Sequence, residues 1–277
     1  VFEMAQEAAF GGQPLGRPIL GTDESIARAS TETLSAWRAA LYAPDSLVIA
    51  ASGAVNEAEL LALAERDFGG AVGEGAALPT PAAFTGGTRT TSKSLEQANL
   101  VFLLPAVGVR DEAYFALRLY AEILGGGMAS RLFQEAREKR GLAYAVDAYS
   151  ETYADTGALG IFAGCAAKDA AELARVAAGE VQGMATRIEP AELSRAKAQL
   201  KASMFMAREQ PLSRSEQAAA QVLLFGATLP TAELAQQIDA VTAQDIIALG
   251  QQILAPRRAA VSVLGPKGAL KAADAFQ

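Results

Sequence analysis

The sequence contains no histidine among its 277 residues. Histidine is the commonest zinc ligand and the usual general base of serine and cysteine hydrolases. The chain alone therefore builds no conventional zinc site and no catalytic triad that needs histidine. A calcium or magnesium site made only of carboxylates stays open, although the sequence has no D-x-D-x-D-G loop that would indicate one. We expect any metal to be bound outside this chain.

Cysteine, long apolar runs and excess basic charge are also scarce or absent. The single cysteine, Cys165, forms no disulfide within the chain, and its place at the end of the run ALGIFAGC predicts a buried structural thiol. No apolar run approaches the ~18 residues of a membrane span, and no secretory-type segment opens the chain. The 24 basic and 31 acidic residues give a net charge of −7, which argues against a nucleic-acid partner.

These absences leave an ordinary soluble globular protein. The compartment stays open, because a single cysteine says nothing about redox conditions. A bacterial cytoplasm or periplasm is favoured over an organelle matrix.

What the sequence does contain is an internal repeat. Residues 26–53 align without a gap with residues 238–265, an offset of 212 positions. In each copy Ser30 or Thr242 occupies a helix N-cap position, an apolar helix follows, Ala-Pro ends it, and a short β-branched run leads to glycine. The pattern predicts one helix–turn–strand unit used twice, and hence a tandem of two similar modules. Chance similarity between two alanine-rich segments is the alternative.

The offset also predicts how much of the first module is present. If the second module begins near Ser92, the repeat places the start of the first roughly 120 residues before Val1. Val1 is not an initiator methionine, and it opens directly into a predicted helix, FEMAQEAAF. We therefore expect this chain to be a portion of a longer polypeptide, or one piece of a nicked one, with its first module incomplete.

Three regions follow from the pattern along the chain. Residues 1–72 form the C-terminal part of the first module and include a predicted strand, LVIAAS, at 47–52. Residues 73–92 are rich in glycine and proline and form a linker. Residues 93–277 form the second module, in which the segments AYAVDAYS and GALGIFAGC predict a hairpin between groups of helices. This order predicts an α+β fold, each module being a mostly antiparallel sheet with helices on one face.

One glycine-rich segment and one charged segment have structural interpretations only. The triplet Gly125–Gly127 lacks the G-K-[ST] ending of a phosphate-binding loop, so it predicts a tight connection between helices. The charges at 135–140 predict a solvated helix face, supported by i,i+4 pairs of Arg131 with Glu135 and of Glu135 with Lys139.

Three segments of the chain carry a family resemblance. The segment LGGGMASRLFQEAREKRGLAY resembles the second module of the pitrilysin/insulinase-type zinc peptidases, the group that includes mitochondrial processing peptidase. FGGQPLGRPILGTDESI and YAPDSLVIAASG resemble the later part of the first module in that family. The resemblance extends over nearly all of the chain, and LGRPILG and SRLFQEAREKRGLAY are its most specific parts.

The resemblance implies a division of labour between the modules. In the family, an inverted H-x-x-E-H motif and a downstream glutamate bind zinc in the first module, and this chain contains no such motif. The second module supplies an arginine and a tyrosine seven residues apart, which Arg137 and Tyr144 match. Tyr144 would donate a hydrogen bond to the oxyanion formed in peptide hydrolysis, and Arg137 would hold substrate carbonyls. The alternatives are that Tyr144 only packs and that Arg137 only pairs with a carboxylate.

The resemblance therefore implies part of a zinc-dependent endopeptidase of the processing-peptidase type, which cleaves unfolded peptides or presequences. Zinc is the implied cofactor, bound outside this chain, so the chain alone should be inactive. Its expected partners are a peptide substrate and either the missing N-terminal segment or a zinc-bearing subunit in a homo- or heterodimer. The alternative is a non-catalytic structural subunit, like the core subunits of respiratory complexes. An unrelated ligand-binding protein would require both the repeat and the motif to be accidental.

Overall fold

The computed structural model describes residues 1–70 and 80–276. It contains two compact units that interleave along the chain. The larger unit comprises Val1–Ile19, Pro81–Leu200 and Ala235–Gln277, and the smaller unit comprises Leu20–Thr80 and Lys201–Leu234. The two modules predicted from the sequence follow one another along the chain and do not interleave. Their boundaries stay a prediction. Residues 73–79 of the predicted linker lie outside the described residues.

The larger unit is built on a five-stranded sheet. Its strands are β1 (Gly87–Ser92), β2 (Ala98–Ala106), β3 (Ala143–Thr152), β4 (Gly157–Cys165) and β5 (Ala260–Gly265). They lie in the order β1-β5-β2-β4-β3, and every neighbouring pair is antiparallel except β1 with β5. The prediction of an α+β fold with a mostly antiparallel sheet is confirmed, as is the hairpin, which is formed by β3 and β4.

The helices account for most of the rest of the described chain. They are α1 (Phe2–Phe10), α2 (Asp23–Ala27), α3 (Thr31–Leu41), α4 (Glu57–Phe68), α5 (Tyr114–Gly125), α6 (Ala170–Met184), α7 (Pro190–Ala207), α8 (Pro211–Phe225), α9 (Thr231–Ala240) and α10 (Ala243–Leu254). A π-helix spans Phe133–Lys139, and a 3₁₀ segment spans Lys267–Asp274. None of the described helices is both long enough and apolar enough to span a membrane.

Both faces of the sheet are covered by helices. Two consecutive residues of β2 show this, since their side chains point to opposite faces. On β2, Val101 packs in one apolar cluster with Phe10 of α1. The next residue, Phe102, stacks on Phe276 beyond the 3₁₀ segment, with ring centroids 4.1 Å apart. Helices α5, α6 and α10 pack on the side of the 3₁₀ segment. Helix α1 thus adds cover to the face that the sequence-based interpretation left open.

The repeated helix starts are confirmed by matching capping boxes. The Ser30 hydroxyl accepts a hydrogen bond from the Thr33 amide, and the Thr33 hydroxyl accepts one from the Ser30 amide. Thr242 and Asp245 form the same reciprocal pair at the start of α10. Each box satisfies two amides that a helix start otherwise leaves unbonded.

The predicted strand at 47–52 is wrong, because the structure has no strand there. A strand is stabilised by a hydrogen-bonded neighbour, and none of the described strands pairs with these residues. Residues 259–264 match this segment in the second copy, and all but the first of them belong to β5, which lies between β1 and β2. The same local pattern therefore forms a strand in only one of the two copies of the repeat.

The smaller unit has little buried core within its described residues. Helices α3, α4 and α8 contain no buried residue. Their apolar side chains include large ones that are mostly exposed, such as Trp37 at 57% and Leu61 at 61%. Because apolar side chains gain stability only when they leave water, this unit gains little from its own packing.

Candidate functional site

Arg137 lies on the π-helix, in an irregular stretch of backbone. The π form is rare and occurs most often as short insertions near functional sites, since it changes the direction of the side chains that it carries. The Arg137 guanidinium carbon lies 4.7 Å from the centre of the Phe133 ring, within the range of a cation–π contact. No carboxylate among the described residues forms an ion pair with Arg137. Its cationic group is thus exposed and held by an aromatic ring.

Tyr144 lies on a second irregularity, a β-bulge near the start of β3. Ala143 pairs with Cys165 and Ala145 with Gly164, so Tyr144 is an extra residue without a partner on β4. Bulges turn side chains away from the regular alternation of a strand and are common beside active sites. The Tyr144 side chain is 63% exposed and makes no hydrogen bond with the described residues. Its phenol is therefore available as a donor.

A short turn links the two irregular segments. Gly141 has φ of +63°, a conformation that glycine adopts without steric cost. The Gly141 amide donates to the Arg137 carbonyl at 3.1 Å, and the Leu142 amide donates to the Ala136 carbonyl at 2.8 Å. These bonds close the end of the π-helix and begin β3 immediately after it. Arg137 and Tyr144 consequently lie on either side of one tight, hydrogen-bonded turn.

The charges around Arg137 are paired differently from the sequence-based prediction. Glu135 pairs with Lys139 as predicted and also with Arg140, each at 2.9 Å. Hydrogen bonds from Lys139 and Arg140 hold the pKa of the Glu135 carboxyl below its usual range. The predicted pair of Arg131 with Glu135 is wrong, because Arg131 pairs instead with Glu192 of α7 at 2.7 Å. Arg137 is left as the cation that these carboxylates do not neutralise.

Close packing of α5 against β3 holds the strand in place. A Cβ atom on Gly125 would lie 2.2 Å from the backbone nitrogen of Ala148, so only glycine allows this approach. Gly127, the last of the three glycines, has φ of +151°. The triplet is thus a tight connection that also brings a helix against the strand carrying Tyr144, which agrees with the sequence-based interpretation.

β3 is the last strand of the sheet, and one of its edges has no partner strand among the described residues. An unpaired edge presents backbone amides and carbonyls that can bind an extended peptide by strand addition. Tyr144 lies on this strand, close to its start. The arrangement combines a surface for peptide backbone, a phenol donor and a guanidinium.

The residues of this chain do not fit a zinc site. The chain has no histidine, and the residues that the structure describes contain no cluster of three or more cysteine, aspartate or glutamate side chains that could hold a metal ion. Cys165 is fully buried on β4, and burial raises the pKa of its thiol to about 11. It is a structural thiol, as predicted, because the reactive form of cysteine is the thiolate.

Sequence reasoning missed three features of the site: the ring of Phe133, the π-helix and the bulge. The spacing of Phe133 and Arg137, four residues apart on a helix, is the one signal that was available for the first. The π-helix depends on the hydrogen bonds of the turn that follows it, and the bulge depends on the pairing register of β3 with β4. No local sequence pattern specifies them.

Comparisons with known proteins give a consistent result. Residues 28–200, more than half of the chain, match a family model described as "Peptidase M16 inactive domain". The chain is 32% identical over 267 residues to an "Uncharacterized zinc protease" of Rickettsia bellii, covering 96% of this chain and 65% of the relative. It is 33% identical over 273 residues to a protein of the same description from Mycobacterium tuberculosis, covering 96% of this chain and 62% of the relative. The chain thus spans slightly less than two thirds of the length of these relatives.

A solved structure gives a match at the level of the fold. A chain of complex III2 from Candida albicans aligns with a TM-score of 0.85 at 23% identity, over 96% of this chain and 66% of that chain. At this identity the match shows that the two chains share a fold.

Proposed function

Because the chain belongs to the peptidase M16 family, the pitrilysin/insulinase type of zinc peptidase that its sequence resembles, we propose that it is the substrate-side portion of a zinc-dependent endopeptidase. The complete enzyme is of the processing-peptidase type and cleaves unfolded peptides or presequences. Zinc is bound outside this chain, by the remainder of the same polypeptide or by a partner subunit in a homo- or heterodimer. The chain by itself is inactive.

One observation carries this proposal: Tyr144 is exposed, Arg137 lies one tight turn away, and neither a hydrogen-bond partner for the tyrosine nor an acidic partner for the arginine is present among the described residues. Both simpler alternatives lose support from this geometry. A tyrosine that only packs would be buried, and Tyr144 is 63% exposed. An arginine held for structural pairing would have a carboxylate beside it, as Arg131 has Glu192.

Each side chain has a distinct part in the proposed reaction. Peptide hydrolysis passes through a tetrahedral oxyanion, and the Tyr144 hydroxyl donates a hydrogen bond to that oxygen. The guanidinium of Arg137 offers several donors in a fixed plane, so it holds backbone carbonyls of the substrate without reading its side chains. The free edge of β3 adds main-chain hydrogen bonds to an extended peptide.

The test is the substitution Tyr144→Phe in the complete, zinc-loaded protein. Loss of one oxyanion donor lowers kcat by about 10²- to 10³-fold, with KM nearly unchanged because the hydroxyl acts in the transition state. The control is Tyr42→Phe, which removes the hydroxyl of another exposed tyrosine, 72% exposed, in the smaller unit. Equal kcat for the wild type and both variants in a peptide-cleavage assay would remove Tyr144 from the mechanism.

A second candidate function is a non-catalytic structural subunit of the same fold. The observation that favours it is the match to a chain of complex III2, which covers nearly all of this chain. Metal analysis of the full-length protein separates the two functions. Stoichiometric zinc and peptide cleavage support the peptidase. A full-length protein without zinc and without an H-x-x-E-H motif supports the structural role.

A further inference from the structure

A polar cavity of about 310 Å³ lies within the smaller unit, and neither Arg137 nor Tyr144 is among its lining residues. It is bounded by the segment before Gly53, one side of α8 and the loop leading into α9. The lining residues used in the argument are Ser52, Arg208, Arg214, Gln217, Thr228 and Thr231. Most of their side chains can donate hydrogen bonds.

The cavity is positively charged in a chain of net charge −7. Arg208 and Arg214 both line it, and none of its lining residues is acidic. Among the described residues, neither guanidinium forms an ion pair or a hydrogen bond with a carboxylate. Two like charges facing one cavity repel each other, and an anion between them removes that repulsion.

A buried hydroxyl without a partner gives a second, independent indication. The Ser52 Oγ atom is inaccessible to solvent and has no hydrogen-bond partner in the part of the chain that the structure describes. Buried polar atoms in folded proteins are nearly always hydrogen-bonded, so this hydroxyl needs a partner that the described residues do not supply. Gly53, with φ of +117°, places this segment against the start of α8: a Cβ on Gly53 would lie 3.9 Å from Cβ of Pro211.

We propose that this cavity binds a phosphate group, present either as inorganic phosphate or as the phosphate of a small phosphomonoester. Two guanidiniums match the charge of a phosphate dianion, whereas a carboxylate would neutralise only one of them. Guanidinium also forms paired, charge-assisted hydrogen bonds with phosphate oxygens. A rotation of the Ser52 side chain about χ1 would turn its hydroxyl towards the cavity and add a further donor to an oxygen of the same group.

The test is isothermal titration calorimetry of the purified chain with inorganic phosphate and, separately, with phosphoserine, against acetate as the carboxylate control. Each of Arg208→Gln and Arg214→Gln is expected to weaken phosphate binding about tenfold or more. Arg38→Gln is the matched control, because it removes an exposed arginine of the same unit that does not line the cavity. Binding unchanged in Arg38→Gln and lost in the other two supports the site.

The remaining outcomes are also decisive. Tighter binding of phosphoserine than of phosphate identifies a phosphomonoester as the ligand, and equal binding identifies the free anion. Equal binding of phosphate by all variants, equal binding of acetate and phosphate, or no binding to the wild type overturns the proposal. Thermal melting of each variant identifies a loss of fold, and Ser52→Ala, which removes no charge, then serves as the second variant. It is expected to weaken phosphate binding severalfold, and unchanged affinity in this variant also counts against the site.

Discussion

The two compact units of this chain contain similar shares of apolar residues, but they differ in how many of these side chains they bury. In the larger unit, side chains such as Leu100 and Leu124 are fully buried between the sheet and its helices. In the smaller unit, α3, α4 and α8 bury no residue, and most of the exposed large apolar side chains of the described residues belong to this unit. An amphipathic helix is therefore evidence for a buried interface, but not for where its partner lies.

The largest expected difference comes from replacing one leucine by alanine in each unit. Leu100→Ala removes a fully buried side chain from β2 and should lower the free energy of unfolding by about 2–5 kcal/mol. Leu61→Ala removes a side chain that is 61% exposed on α4 and should change it by less than about 1 kcal/mol. Urea denaturation followed by circular dichroism measures both.

The same pair of variants also sharpens the comparison in a longer protein. If the remainder of the polypeptide covers α4, Leu61→Ala should become clearly more costly in the full-length protein than in this chain. An equal, small cost in both would show that α4 is a solvent-facing helix in the complete molecule as well.

A second comparison uses glycine. Gly125→Ala places a Cβ atom within 2.2 Å of the Ala148 backbone and should destabilise the larger unit by about 1–3 kcal/mol, because neither element can move aside freely. Gly70→Ala meets no atom within 4 Å and should be neutral or slightly stabilising. Thermal denaturation compares the two variants. A neutral Gly125→Ala would mean that α5 does not hold β3 as described.

The smallest effect concerns the two capping boxes. Thr242→Ala should lower the stability of the larger unit by about 1 kcal/mol, since α10 is packed against the core. Ser30→Ala removes the same kind of cap from α3, which buries nothing, so it should increase local fraying without moving the main unfolding transition. Hydrogen exchange of the amides near each cap measures the difference. Equal shifts of the global transition would contradict it.

Sequence reasoning succeeded where structure depends on local pattern. The hairpin of β3 and β4, the two helix caps and the buried thiol of Cys165 all follow from periodicity or position within a short segment. The family follows from a segment of contiguous residues, and the match to the family model confirms it. Each of these features is specified within about twenty residues of sequence.

It failed where structure depends on distant partners. The segment 47–52 has a strand pattern but no neighbouring strand among the described residues, and it forms none. Arg131 pairs with Glu192, 61 residues away, rather than with Glu135 on the next turn. The bulge at Tyr144 results from the register of β3 against β4, which involves both strands. The residues of the candidate site were therefore easier to predict from the sequence than the backbone irregularities and ion pairs around them.

The parallel pairing of β1 with β5 has a consequence for how the larger unit folds. β1 has no other partner strand in the described parts of the chain, and its ladder joins Gly87 to Ala260, more than 170 residues along the chain. Contacts between such distant segments form slowly, because a large loop must close before they gain any hydrogen bonds. During synthesis, β1 and the adjoining edge of β2 remain unpaired until residues 260–265 have been made. The order of assembly in the larger unit is thus set by β5, and the edge of β2 stays open until that strand has been made.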